Sequence, residues 1–218
     1  MRKFCNIRRV ILVGLLMVLP LGLAAQDVPG LFDVTGVAQD DVLNIRARPD
    51  AGADKLGALG PNQQSVEVVA LSQNNKWGLV NTGDRSGWAS MRYLQASGFD
   101  IAEPPFGFSC SGTEPFWGLT FGNDGTATAD WSPMGLTGPD TSIYMSFWSA
   151  RSQNRTSPVY GFRLADEVTG SGVHASGVIT AGLCSDNMSD RAYGYMIDML
   201  LRGPENAMVS GCCSLSRE

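Results

Sequence analysis

The chain has 218 residues, of which 44% are hydrophobic and 17% charged, with 16 basic against 21 acidic residues. This composition is too apolar and too weakly charged for a disordered acidic chain, and the net charge of -5 excludes a nucleic-acid binder that acts through bulk positive charge. The single histidine excludes a catalytic site that needs two.

The first 25 residues have the pattern of a secretory signal peptide. Four basic residues precede the apolar run Val10–Leu23, which leads into Ala24 and Ala25. At 14 residues this run is shorter than the span a bilayer requires. We expect cleavage near Ala25 and a periplasmic or secreted protein without a membrane span; an uncleaved N-terminal anchor is the alternative. Cleavage leaves 12 basic and 21 acidic residues, a net charge of -9.

The mature chain keeps four cysteines, and in an exported chain this number is typical of two disulfides. Cys212 and Cys213 are neighbours, whose Cα atoms lie about 3.8 Å apart, too close for the usual disulfide geometry. Cys110 and Cys184 are therefore each expected to pair with one of them, in either combination, and the two bridges should leave the strand on opposite sides. A soft-metal site that combines the thiols with Met188 is the alternative.

Residues 31–95 predict a small, strongly bent β-barrel. Val42–Arg46 and Ser65–Leu71 are β-rich runs, and the second alternates through Val66, Glu67 and Val68. Segments rich in Gly, Pro, Asn and Asp separate such runs, and no window has a clean helical period.

Several segments in this region resemble the bacterial SH3 domain, in order Val42–Pro49, Leu56–Leu59, Lys76–Val80, Gly87–Ala89 and Tyr93–Leu94. The resemblance implies an SH3-like barrel of the kind that tethers exported proteins to cell-wall peptide or to other proteins. The residues we expect to bind there are Asn44, Trp77, Trp88 and Tyr93. The alternative is that both tryptophans pack in the core or against the sheet and that Asn44 organises a turn.

A joint is predicted over residues 96–108, where Glu103-Pro104-Pro105 interrupts any strand pattern. Residues 109–218 then predict a second antiparallel β domain held by the disulfides. Its candidate strands are Trp117–Phe121, Thr126–Trp131, Ile143–Trp148, Val159–Leu164, Gly177–Ala181, Tyr193–Leu201 and Met208–Cys212. The whole mature chain is therefore predicted to be all-β.

Three segments of the second domain resemble a group of bacterial exported proteins, some of them lipid-anchored: Cys110–Trp117, Cys184–Tyr193 and Gly211–Cys213. The group has no activity that can be carried over. We expect a surface site formed by Glu114, Trp117, Asp186 and Asp190. Alternatively these segments shape strand entrances and cap turns. Asp186 and Asp190 lack the dense oxygen ligands of a calcium loop, and neither a metal nor a cofactor is predicted.

A cysteine peptidase is the catalytic alternative. Phe108–Gly112 has a likeness to the nucleophile segment of cell-wall cysteine peptidases, and His174 would be the base. Such a nucleophile opens a helix, whereas residues 114–120 have a strand pattern, and even disulfide pairing requires Cys110. We predict a non-catalytic envelope protein that binds cell-wall peptide, peptidoglycan or an envelope protein, and no nucleic acid. An inhibitor of an envelope-directed enzyme is a further alternative.

Overall fold

The computed structural model describes residues 28–98, 107–113, 116–122, 126–130, 143–152, 159–165, 174–203 and 206–215. The predicted signal peptide, most of the predicted joint and Glu114 lie outside the described residues. Within those ranges the secondary structure is β-strand apart from one short 3-10 helix, so the predicted all-β fold is confirmed. In this part of the chain, no helix is long and apolar enough to cross a membrane.

The N-terminal module consists of two small sheets. Its elements are β1 Gly30–Val34, β2 Leu43–Arg46, β3 Lys55–Leu59, β4 Val66–Val68, β5 Ala70–Leu71, β6 Trp77–Thr82, β7 Arg85–Ser90, the 3-10 helix Met91–Tyr93 and β8 Leu94–Ala96. One sheet has the order β4-β1-β8 and the other the order β3-β2-β7-β6-β5. Apolar residues from both sheets, among them Phe32, Ile45 and Val80, form a single core between them.

Strand alternation decides which side chains of the larger sheet remain accessible. Along β2, Leu43 and Ile45 point into the core, so Asn44 lies on the outer face. Along β6, the buried residues Gly78 and Val80 leave Trp77 on that same outer face. The alternation therefore places polar and aromatic side chains together on the outside of this sheet.

The C-terminal module is a closed barrel of eight antiparallel strands. They are β9 Phe108–Thr113, β10 Phe116–Phe121, β11 Thr126–Asp130, β12 Ile143–Arg151, β13 Val159–Ala165, β14 His174–Cys184, β15 Tyr193–Arg202 and β16 Ala207–Leu215. Neighbours in sequence are neighbours in the barrel, and β9 closes it by pairing with both β10 and β16. A barrel of this kind leaves no free strand edge.

The barrel interior is filled with side chains, as is usual for eight strands. On β15 the predicted alternation is observed, since Tyr195, Ile197 and Met199 are buried in the core. Trp117 also belongs to this core and is only 5% exposed. Its ring packs where Gly112 and Gly211 carry no side chain. The expected surface position of Trp117 is thus not observed, because its place in β10 points it inward.

The two predicted disulfides are present, as Cys110–Cys213 and Cys184–Cys212. Cys110 and Cys213 face each other across β9 and β16 and lie in the barrel core. Cys184 is half-buried and lines a groove on the outside of the barrel together with Cys212. The bridges therefore lie on opposite sides of β16, as strand alternation predicted.

Candidate binding pocket and the contact between the modules

A pocket of about 520 Å³ opens on the outer face of the N-terminal module. Of the four binding residues that the sequence predicted in this module, three line it, namely Asn44, Trp77 and Tyr93. The loop that follows β1 and the side chains of Arg46 and Arg92 complete its wall. Sequence reasoning missed these two arginines, although Arg92 directly precedes Tyr93.

Trp77 is held at the start of β6. Its backbone N–H donates to the Ser72 hydroxyl at 3.1 Å, and β6 pairs with β7 so that Trp77 stands opposite Ser90. The ring is half-buried. Trp77 thus keeps an accessible aromatic surface at a position that the hairpin fixes.

Tyr93 and Arg92 are positioned by the 3-10 helix. The carbonyl of Tyr93 accepts a hydrogen bond from the Thr35 N–H at 2.9 Å, which ties this turn to the loop after β1. The guanidinium carbon of exposed Arg92 lies 5.6 Å from the centroid of the Tyr93 ring, a cation–π distance.

Trp88 does not line the pocket. It stands between Arg46 of β2 and Leu79 of β6 in the strand register, on the outer face of the sheet, and is half-buried. The structure therefore separates Trp77 from Trp88, which the sequence could not distinguish.

In the second module, the carboxylate of Asp186 is enclosed by its own loop. The backbone N–H groups of Met188 and Ser189 donate to Oδ1 at 3.0 and 2.9 Å. The hydroxyls of Ser189 and Tyr193 donate to Oδ2 at 2.8 and 3.0 Å. Burial by itself would raise the pKa of Asp186, but these hydrogen bonds outweigh it and lower the pKa to about 2. Burial and the neighbouring carboxylate raise the pKa of Tyr193.

Asp190 joins the second module to the first. Its backbone N–H donates to the Asp84 carbonyl at 3.0 Å, and its carbonyl accepts from the Ser86 N–H at 2.9 Å. Two residues after Asp190, Ala192 exchanges two hydrogen bonds with Asn81 of β6, of 2.8 and 3.1 Å. The loop after β14 therefore docks on the β6–β7 hairpin, and the exposed Asp190 and enclosed Asp186 do not form one site.

Glu67 lies at a second contact between the modules. Its Oε1 accepts the backbone N–H of Leu215 at 2.9 Å. Nearby, Gly194 has no side chain and so leaves room for Pro29. Burial raises the pKa of Glu67 to about 7, against the opposing effects of the Leu215 hydrogen bond and the Arg191 charge. The alternation of apolar residues along β4 predicted neither the burial of the Glu67 carboxylate nor its contact with Leu215.

The residues of the catalytic alternative are not arranged as a nucleophile and base. Cys110 is bonded to Cys213 and buried, so its sulfur is not a thiolate. His174 is exposed at the start of β14, opposite Ala165 and Arg202 in the register. All four cysteine sulfurs in the described residues are likewise bound in disulfides and are not thiolate ligands for a metal.

The N-terminal module is thus two small sheets around one core, with a pocket on the outer face of the larger sheet. Residues 41–95 match the family model of the bacterial SH3 domain. This match confirms the resemblance that the N-terminal segments predicted. No curated protein and no solved structure matches the chain, and the resemblance of the second domain stays a prediction.

Proposed function

We propose that the protein is an exported, non-catalytic binding protein of the bacterial cell envelope, and that its N-terminal module recognises cell-wall peptide. The observation that carries this proposal is the pocket that gathers Asn44, Trp77 and Tyr93 on a bacterial SH3 module. The two disulfides are consistent with an extracytoplasmic protein.

The pocket offers the chemistry that a peptide needs. The half-buried rings of Trp77 and Tyr93 give an apolar surface at low conformational-entropy cost, because each ring has only two side-chain torsions. The Asn44 amide can both donate and accept hydrogen bonds to a peptide backbone. The volume of about 520 Å³ accommodates one or two residues of a peptide.

The second module supports this function by holding the first in place. The contacts of Asp190, Ala192 and Leu215 bind the barrel to the SH3 module without using the pocket. A groove of about 440 Å³ beside Cys184–Cys212, lined by Asp186, Met188 and Met196, provides a second surface for a partner.

We expect Trp77→Ala to weaken binding of the mature chain to isolated peptidoglycan by about tenfold or more, the size of effect seen when an aromatic anchor is removed from a binding site. The measurement is co-sedimentation over a range of peptidoglycan concentrations. Trp88→Ala is the matched control, because Trp88 is a half-buried tryptophan on the same sheet face but outside the pocket.

Thermal unfolding of both variants shows whether the modules remain folded. Equal retention of the Trp77→Ala variant and the unaltered chain would contradict the proposed role of the pocket. If the unaltered chain does not sediment with peptidoglycan at all, the proposed function is wrong.

A further inference from the structure

We infer that the pocket of the SH3 module selects peptides that carry a free carboxylate, with Arg92 and Arg46 as the groups that bind it. The inference rests on the proposed function and names the chemical class of its ligand. It is carried by the placement of two guanidinium groups in the wall that Trp77 and Tyr93 also line.

The charge of the pocket is opposite to that of the chain. The whole sequence has a net charge of -5, yet the pocket wall contains two arginines and one carboxylate, that of Asp41. Asp41 Oδ1 accepts the N–H of Val42 at 2.8 Å and so is already engaged in its own turn. A cationic pocket in an acidic protein favours an anionic ligand, since charge complementarity directs both encounter and specificity.

Arg92 is placed to use its charge on a ligand. The guanidinium carbon lies 5.6 Å from the centroid of the Tyr93 ring, so the aromatic ring limits the positions that this side chain can take. The planar guanidinium has paired N–H donors that match the two oxygens of a carboxylate in a bidentate arrangement.

Arg46 is fixed more firmly. One of its terminal N–H groups donates to the Ala53 carbonyl at 2.9 Å, and the side chain is half-buried. This bond uses one of the five N–H donors of a guanidinium. Arg46 therefore gives the pocket a fixed positive charge, and Arg92 gives it a more exposed one.

A carboxylate ligand also accounts for the aromatic part of the wall. In an amino acid with a free carboxyl group, the carbon next to the carboxylate can carry an apolar side chain. The Trp77 and Tyr93 rings can pack against that side chain while the arginines bind the carboxylate. Peptides of the cell wall carry free carboxyl groups, so the inference commits to these and not to the phosphate groups of wall polymers.

The test uses peptidoglycan freed of phosphate polymers, in its native form and after its carboxyl groups have been converted to amides. We expect the mature chain to bind the amidated material about tenfold more weakly, the effect of losing a charge-assisted hydrogen bond. Arg92→Gln should weaken binding to native material and should narrow the difference between the two materials, and the double variant Arg46→Gln/Arg92→Gln should make them nearly equivalent.

Arg48→Gln is the matched control, because Arg48 is an exposed arginine of the same module that does not line the pocket. It changes the net charge equally and should bind like the unaltered chain. Equal losses in the Arg48 and Arg92 variants would overturn the inference in favour of general electrostatic attraction.

Equal binding of the unaltered chain to native and amidated peptidoglycan would also overturn it. In that case, weaker binding of the Trp77→Ala variant to peptidoglycan would still support the proposed function. No binding to either material would overturn both the inference and the proposed function.

Discussion

Replacing Cys110 and Cys213 together by alanine is expected to lower the free energy of unfolding by about 5 kcal/mol. The bridge joins residues 103 positions apart, and crosslinking such a loop removes about 4.7 kcal/mol of chain entropy from the unfolded state. Both sulfurs are also buried in the barrel core, so their loss removes packing as well. Because the free energy of unfolding of a native protein is typically about 5–15 kcal/mol, this loss is a large part of the total.

The second bridge provides the comparison. Cys184–Cys212 spans only 28 positions, for which the same relation gives about 3.6 kcal/mol. Urea unfolding of the two double-alanine variants, followed by circular dichroism, measures both losses. A Cys184/Cys212 variant that is less stable than the Cys110/Cys213 variant would contradict the argument. If the Cys110/Cys213 variant does not fold while the Cys184/Cys212 variant does, the first loss is the larger one, as expected.

The all-β fold could be read from the sequence because its signals are local. Alternation of apolar residues along β4 and β15 directly reports which side of a strand is buried, and it placed Val66, Val68, Ile197 and Met199 in the cores. Adjacent cysteines likewise restricted the disulfides to two combinations. The choice between the two combinations depends on which strands close the barrel, and no local pattern contains that.

The contacts between the modules could not be predicted for the same reason. Asn81 and Ala192 are hydrogen-bonded although they are 111 residues apart. Leu31 of β1 packs in the core of the second module, and its sequence pattern does not show which of the two cores it joins. The hydroxyl of Tyr195 donates to the Pro29 carbonyl at 3.0 Å across 166 residues. No local sequence pattern contains pairings over such distances along the chain.

The binding residues of the N-terminal module could be predicted from the sequence only in part. The resemblance to the bacterial SH3 domain indicated Asn44, Trp77 and Tyr93, and the structure brings them into one pocket. It also indicated Trp88, which lies opposite Arg46 in the strand register but does not line that pocket. Arginine on an exposed turn has no distinctive local signal, so Arg92 became a candidate only when its position next to Tyr93 was known.

Glu67 is expected to make the protein less stable as the pH rises from about 4.5 to about 7. The pKa of this carboxyl group is ordinarily 4.5 and is raised to about 7 in the folded chain, first of all by burial. The folded state therefore holds the proton over a pH range in which the unfolded state has released it. Since stability falls with pH wherever the folded state binds more protons, the full contribution is present below about pH 4.5 and is lost above about pH 7.

The size of this effect follows from the same two values. Each pKa difference of one corresponds to about 1.4 kcal/mol, so the rise from 4.5 to about 7 gives at most about 3 to 4 kcal/mol. Asp186 acts in the opposite direction and in another range, because its lowered pKa removes stability as the pH falls from about 3.8 to about 2. The two groups can therefore be separated by pH.

Glu67→Gln isolates the contribution of the interface. The amide oxygen can still accept the Leu215 N–H that Glu67 Oε1 accepts at 2.9 Å, but it has no proton to lose. Urea unfolding at a series of pH values should show the decline for the unaltered chain and a much flatter profile for the variant, which should be the more stable protein above about pH 7. Parallel profiles for the two proteins between pH 4.5 and 7 would mean that Glu67 is ionised in the folded state. Because the Glu67 carboxylate lies at the contact between the modules, where it accepts the Leu215 N–H, a flat profile in the variant would also identify that contact as the place where the pH dependence arises.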